Sequence, residues 1–194
     1  MSNTELISCS KKQSFVALMG SVEDRANARF LSAMLASWYN DEGVLPAYMG
    51  LTPESFTEMI GHYFPNVELP AIPLHSVDWK AQMPEYAELV ALFNHFAVDD
   101  QPERMWIASM LIAGSIGHHH LWEDMGLFSR PDLTALIAEN FPELAARNDR
   151  DMKWKKFIYK QLCELEGIIA CPVPSCDACT DFAICFAPED QPSI

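Results

Sequence analysis

A group of cysteines near the C-terminal end is the part of the sequence best suited to chemistry. The stretch CPVPSCDACTDFAIC holds four of the six cysteines within fifteen residues, namely Cys171, Cys176, Cys179 and Cys185. Thiolates bind soft and borderline metals, and four that are close in sequence can converge on one centre. Pro172 and Pro174 restrict the backbone between them. The spacing C-x4-C-x2-C-x5-C therefore predicts a metal-binding loop.

Three kinds of cysteine site compete for this spacing. Disulfides are disfavoured, because the sequence shows no secretory leader and a cytosolic protein keeps its thiols reduced. Structural zinc is the serious rival, but paired CxxC knuckles are typical of zinc, and only Cys176 and Cys179 form such a pair. An iron–sulfur cluster accommodates mixed short spacings. We expect an iron–sulfur cluster, with zinc as the alternative.

The net charge of the chain limits the kinds of partner that it can bind. A net charge of −14 over 194 residues argues against nucleic acid and against an anionic membrane surface. Six of the thirteen basic residues nevertheless lie between Arg147 and Lys160. There, Lys153, Lys156 and Lys160 fall on nearly one helical face, which offers a place for an anion or an acidic partner. A solvated helix face is the alternative. No apolar run is long enough for a membrane helix, and we expect a cytoplasmic protein.

The elements that must position these residues are helices. Apolar residues recur at intervals of three and four, so we expect an all-α fold, a helical bundle. Capping residues, prolines and glycines predict helices from Ser21 to Tyr39, from Thr52 and Pro53 to Tyr63, over 85–96 and 103–116, from Ser129 to Phe141, and over 149–166. The predicted organisation is a flexible N-terminus over 1–20, a helical domain over 21–167, and a cysteine-rich loop and tail over 168–194.

Two segments look like copies of one unit. Met34-Leu35 matches Met110-Leu111, and Met49-Gly50-Leu51 matches Met125-Gly126-Leu127, both at a separation of 76 residues. Each segment has a helix, a linker, Met-Gly-Leu, a capped helix and Phe-Pro, which predicts a bundle with pseudo-twofold character. The linkers differ: the first reads NDEGVLPAY and the second IGHHHLWED. Residues carried only by the second linker are therefore candidates for function.

The C-terminal half resembles the NifQ family of nitrogen-fixation proteins. The resemblance rests on HLWEDMGL, on MKWKKFIYKQLCELEG and on the C-x4-C-x2-C-x5-C pattern that follows, and it is strongest over 118–188. It implies a metal-cluster carrier, not a turnover enzyme. Family members are thought to hold molybdenum on an iron–sulfur cluster of the 4Fe–4S or 3Fe–4S type. They pass it as a Mo–Fe–S species to the NifEN scaffold complex, with the nitrogenase iron protein NifH involved.

Molybdenum reaches a cell as the oxyanion molybdate, and the sequence offers groups suited to it. The lysine face of 153, 156 and 160 leads directly into the cysteines and could attract the anion. Four cysteines supply one terminal ligand for each corner of a cubane, but molybdenum accepts more donors than tetrahedral iron does. Cys163 and His120 are the candidate extra ligands, with Asp124 expected to orient the imidazole. An iron–sulfur electron carrier or redox sensor and a zinc-stapled adaptor remain the alternatives.

Overall fold

The computed structural model describes residues 10–22, 25–67, 78–167 and 182–189, and every regular element in those ranges is a helix. The predicted all-α class is confirmed. The α-helices are α1 Lys11–Met19, α2 Ala28–Tyr39, α3 Pro53–Tyr63, α4 Tyr86–Phe96, α5 Pro102–Gly114, α6 Leu121–Asp124, α7 Arg130–Asn140, α8 Pro142–Arg147, α9 Trp154–Leu165 and α10 Phe182–Phe186. Short 3₁₀ segments span Ala47–Gly50 and Trp79–Gln82.

Helices α2 and α5 lie at the centre of the core. Nine of the ten positions from Ala28 to Ser37 are apolar or small, and all nine are buried. The same is true of α5 from Trp106 to Gly114. A helix that is buried around most of its circumference has no polar face to offer water, so the other helices must cover it. These two helices are also the first elements of the two repeated segments.

The second helix of each segment begins and ends in the same way. The Thr52 hydroxyl accepts a hydrogen bond from the backbone N–H of Ser55 at 3.2 Å, and the Ser129 hydroxyl accepts one from that of Asp132 at 3.3 Å. These caps satisfy N–H groups that a helix start leaves without partners. Both helices are followed by a phenylalanine, Phe64 or Phe141, whose N–H donates to a carbonyl four residues earlier. The helix starts predicted at Thr52 and Ser129 are therefore correct.

The two Met-Gly-Leu glycines make reciprocal contacts. Gly50 and Gly126 both have positive φ, at 86° and 76°, which glycine adopts at least cost. A Cβ on Gly50 would lie 2.8 Å from the Cβ of Ala113 in α5, and one on Gly126 would collide with Ser37 in α2. Ser37 and Ala113 are themselves 76 residues apart. Each segment thus packs its glycine on the central helix of the other, as a duplicated unit with twofold character predicts.

The N-terminal part of the helical domain differs from the prediction. Residues 11–19, expected to be flexible, form α1, and its Leu18 is fully buried. Ser21 does not cap a helix, because its hydroxyl donates to the Leu18 carbonyl at the end of α1. Helix α2 begins only after Asn27, whose φ is 66° and whose buried side chain pairs with Asn140. This long-range amide pair sets the start of α2.

The last long helix is also shorter than predicted. Helix α9 begins at Trp154 instead of residue 149, because Asp151 has a φ of 58°. The Asn148 side chain holds the preceding turn through the backbone N–H and carbonyl of Met152, at 2.8 and 2.9 Å. Residues 142–147 form the separate helix α8, which was not predicted. The boundary proposed at 167/168 stays a prediction, since 168–181 lie outside the described residues.

No helix in the described parts of the chain combines the length and the apolar character that crossing a bilayer requires.

Candidate metal centre

One of the four loop cysteines lies in the described part of the chain. Cys185 is half-buried on α10, whereas Cys171, Cys176 and Cys179 lie outside the described residues. Among the residues that are described, no three His, Cys, Asp or Glu side chains come together as a group that could hold a metal ion. The four-cysteine centre therefore stays a prediction, and the structure describes the surroundings of its last member.

Cys185 packs against the start of α9. Its carbonyl accepts a hydrogen bond from the backbone N–H of Lys153 at 2.9 Å. Its Sγ lies 3.6 Å from the ammonium of Lys156. The first contact satisfies an N–H at the helix start, and the second places a positive charge beside the sulfur. Cys185 is therefore held against α9 with a cation beside its sulfur, and the thiolate is the form in which a cysteine binds metal.

The three lysines of the predicted face have different surroundings. Lys153 contacts the cysteine segment through its backbone, and Lys156 reaches the sulfur with its side chain. Lys160 lies one turn further on, with its Nζ 3.6 Å from Glu164. Lys155 was not predicted as a site residue and turns inward. Of the three predicted lysines, Lys156 is the one whose ammonium contacts the described cysteine.

On the same helix, burial raises the pKa of Tyr159, and the charge of Glu85 raises it further.

Lys155 forms an ion pair with Asp124 under the second linker. The Asp124 side chain is 1% exposed and that of Lys155 is 20% exposed. The ammonium also donates to the carbonyl of Gly117 at 2.7 Å, and the backbone N–H of His119 donates to Asp124 at 3.1 Å. A Cβ at Gly117 would collide with the Asp124 carboxylate. This ion pair joins the second linker to α9.

The expected contact between Asp124 and the His120 ring is wrong. The helical turn predicted through HLWED is present as α6, and the backbone N–H of His120 donates to Glu123 at 3.0 Å. The Asp124 carboxylate turns instead to Lys155. The carboxylate beside the ring belongs to Glu189, whose Oε1 lies 3.4 Å from His120 Nδ1.

Glu189 was missed because it lies in what reads as a polar tail. It is buried, and its second oxygen, Oε2, accepts a hydrogen bond from Arg130 Nε at 3.2 Å. Arg130 also forms an ion pair with Asp151 and donates to the carbonyls of Asp151 and Met152 at 3.2 Å each. One guanidinium therefore joins the start of α7, the turn before α9 and the C-terminal tail. The only sequence signal was a glutamate four residues after Cys185.

Cys163 lies on α9, half-buried and not in a disulfide. It is seven residues after Lys156, which is about two helical turns. In the described residues no potential metal-holding group includes it. Its role as an additional ligand stays a prediction, as does that of His120. His120, in contrast, is joined through Glu189 to the tail that follows Cys185.

Comparisons with known proteins agree with the resemblance seen in the sequence. A family model described as NifQ matches residues 30–187. Protein NifQ of Azotobacter vinelandii is 37% identical over 177 residues, covering 86% of this chain and 91% of the relative. Protein NifQ of Rhodobacter capsulatus is 39% identical over 147 residues, covering 76% and 80%. The NifQ homolog of Sinorhizobium fredii is 34% identical over 137 residues, covering 71% and 60%.

No solved structure matches the chain. The matched residues include both repeated segments, α9 and Cys185. A family match over most of the chain, together with two relatives covered over most of their own length, confirms the resemblance. The chain belongs to the NifQ family, and its role is in nitrogen fixation.

Proposed function

We propose that the chain is a molybdenum-carrying iron–sulfur protein that donates a Mo–Fe–S species to the assembly of the nitrogenase iron–molybdenum cofactor. The receiving partner is the NifEN scaffold complex, with the iron protein NifH involved, and the setting is the cytoplasm. The protein acts as a carrier and not as a turnover enzyme. The observation that carries this proposal is the position of Cys185, held by the Lys153 N–H and beside the Lys156 ammonium, in a chain of the NifQ family.

The proposed ligand set divides by chemistry. Cys171, Cys176, Cys179 and Cys185 supply thiolates to an iron–sulfur cluster, which provides sulfide to molybdenum when bound. Lys153, Lys156 and Lys160 supply positive charge to molybdate, the oxyanion cargo. His120 and Cys163 supply donors beyond the four thiolates. Cationic surroundings suit this role, because both the thiolate-bound cluster and the oxyanion carry negative charge.

The deciding experiment is metal analysis of protein prepared anaerobically with molybdate in the growth medium. We expect iron, acid-labile sulfide and molybdenum in the same preparation, and a brown colour. Iron and sulfide without molybdenum would instead indicate an electron carrier or redox sensor. Colourless protein with one zinc per chain would indicate a zinc-stapled adaptor.

The loop cysteines provide the matched variants for that experiment. Replacing any one of Cys171, Cys176, Cys179 or Cys185 by Ser should lower the iron content and abolish molybdenum transfer. The helical fold should survive, because the helices α1 to α9 bury their own apolar residues and Cys185 only packs against that core. Unchanged iron and molybdenum in all four variants would show that the loop is not the cluster site.

A further inference from the structure

The C-terminal tail is held to the helical body at two points four residues apart. At the first point the Cys185 carbonyl accepts the Lys153 N–H. At the second point Glu189 inserts its carboxylate between Arg130 and His120. Cys185 is itself the first of these points, and the Glu189 contact limits how far the segment that carries it can move away from α9.

The burial of Glu189 makes this contact unusual for a chain end. Its side chain is 3% exposed, and that of Arg130 is 14% exposed. Burying a carboxylate costs desolvation free energy unless the group is paired and hydrogen-bonded, so both oxygens of a buried carboxylate need partners. Here Oε2 accepts from Arg130 Nε at 3.2 Å and Oε1 lies 3.4 Å from His120 Nδ1.

The contact with Nδ1 also places Glu189 beside the His120 ring. The His120 side chain accepts a hydrogen bond from the backbone N–H of Glu123 at the start of α6, so the ring is held by α6 as well as by the tail. Carboxylates commonly orient metal-bound histidines through contacts with the ring. One oxygen of Glu189 therefore contacts His120, the candidate extra ligand, and the segment that carries Glu189 also carries Cys185, the last loop cysteine.

We propose that Glu189 is a positioning residue that fixes Cys185 and the His120 ring relative to each other through its ion pair with Arg130. Its effect on the metal rests on the proposed function, whereas its effect on the tail does not. Loss of the carboxylate should free the tail around Cys185 and remove one of the contacts that orient the His120 ring. The helical core should be unaffected, because these contacts lie outside it.

The tail is tested in metal-free protein by pulsed alkylation with iodoacetamide, with the modified peptides counted by mass spectrometry. Glu189→Gln should raise the alkylation rate of Cys185 roughly tenfold, as expected for loss of a charge-assisted hydrogen bond. The rate at Cys163 should change less than about twofold, since α9 keeps its packing. Glu189→Asp, which keeps the charge, should fall between Gln and the parent.

Glu139→Gln is the matched control. Glu139 also pairs with an arginine, Arg29, at 3.3 Å, but its side chain is 42% exposed. This variant should leave the Cys185 rate unchanged. If Glu189→Gln is too unstable to purify, Arg130→Lys keeps the positive charge but cannot reproduce the forked contacts, and should raise the same rate. Equal rates at Cys185 in parent, Glu189→Gln and Arg130→Lys would overturn the proposal.

The link to His120 is tested in protein loaded anaerobically with iron and molybdenum. Glu189→Gln should speed the loss of molybdenum to a chelator, and in a His120→Ala background the same change should add nothing further. Additive effects would show that Glu189 does not act through His120. If the protein takes up neither metal, the proposed function fails, and the alkylation measurement still decides whether Glu189 fixes the tail.

Discussion

The two repeated segments share a frame but use their linkers for different contacts. In the first segment, the linker turns through Tyr48, Met49 and Gly50, all with positive φ, and the N–H of Val44 donates to the Asp124 carbonyl at 2.8 Å. In the second segment, Asp124 pairs with Lys155 and His120 lies beside Glu189. The two linkers thus contact each other, and the second also contacts α9 and the C-terminal tail.

The difference separates residues that build the fold from residues that connect it to the cysteine region. Positions common to both segments, such as the two glycines and the two phenylalanines, make equivalent contacts in the core. The two contact-forming residues of the second linker, His120 and Asp124, have an apolar and an aromatic counterpart in the first, Val44 and Tyr48. Their contacts are therefore additions to the shared frame: Asp124 contacts α9, and His120 contacts the tail that follows Cys185.

The strongest test of this comparison removes the partner of Asp124. Lys155→Met should lower the free energy of unfolding by about 3–5 kcal/mol, because it leaves a buried carboxylate without its cation. The change is measured by urea unfolding monitored by circular dichroism. Adding Asp124→Asn to Lys155→Met should recover part of the loss, since the buried charge is then absent.

The control for this test is Tyr48, which occupies in the first segment the position that Asp124 occupies in the second. Tyr48→Phe should change the unfolding free energy by no more than about 0.5 kcal/mol, because Tyr48 pairs with no charge in its linker. A loss as large as that of Lys155→Met would mean that both linkers carry similar stability, and the comparison would break.

The two glycines test the frame that the segments share. Gly126→Ala and Gly50→Ala should each destabilise the fold by roughly 2–4 kcal/mol, from a left-handed backbone and a Cβ forced against the opposite central helix. Unfolding midpoints in urea measure both. Gly61→Ala is the control: it lies within α3 with nothing within 4 Å of an added Cβ, and should stabilise by up to about 1 kcal/mol. Tolerance of alanine at only one of the two glycines would argue against equivalent packing.

His120 sharpens the comparison at the level of metal content. His120→Ala should spare iron and lower molybdenum, because the predicted role of the imidazole is towards molybdenum alone. Both metals are measured in the same anaerobic preparation. The counterpart Val44→Ala should change neither. If His120→Ala keeps the molybdenum content of the parent, or loses both metals equally, then His120 serves the fold or the iron site and not molybdenum.

The basic face of α9 should give the smallest effect. Reversing Lys153, Lys156 and Lys160 to Glu should weaken molybdate uptake or partner docking, and uptake by the parent should fall with salt. Lys156→Glu alone should give most of the effect, because its ammonium contacts Cys185, and Lys160→Glu the least, because Glu164 already pairs with it. Uptake that ignores both salt and charge reversal would indicate an ordinary solvated helix face.

What could be predicted from sequence was set by local interactions. The caps at Thr52 and Ser129 act within three residues, and so the starts of α3 and α7 were correct. The start of α2 was wrong because it depends on Asn27 pairing with Asn140, 113 positions along the chain. No periodicity contains information of that kind.

The candidate site follows the same division. The sequence indicated a basic face on α9, but packing decides which lysine faces inward, and Lys155 does so because Asp124 lies beneath it. The carboxylate beside His120 was assigned to Asp124 because it is one helical turn away. The structure shows Glu189, which is 69 residues away, at that ring. The tail residue could be recognised only once the chain was folded.

Because of the reciprocal glycine contacts, each repeated segment completes the packing of the other. Gly50 needs the surface of Ala113, and Gly126 needs that of Ser37. Neither segment could therefore be excised as an autonomous module or exchanged alone for that of a distant relative. Pieces of the chain divided between the two segments would have to find each other and assemble as complementary fragments. The two segments must consequently be kept together when this protein is divided or engineered.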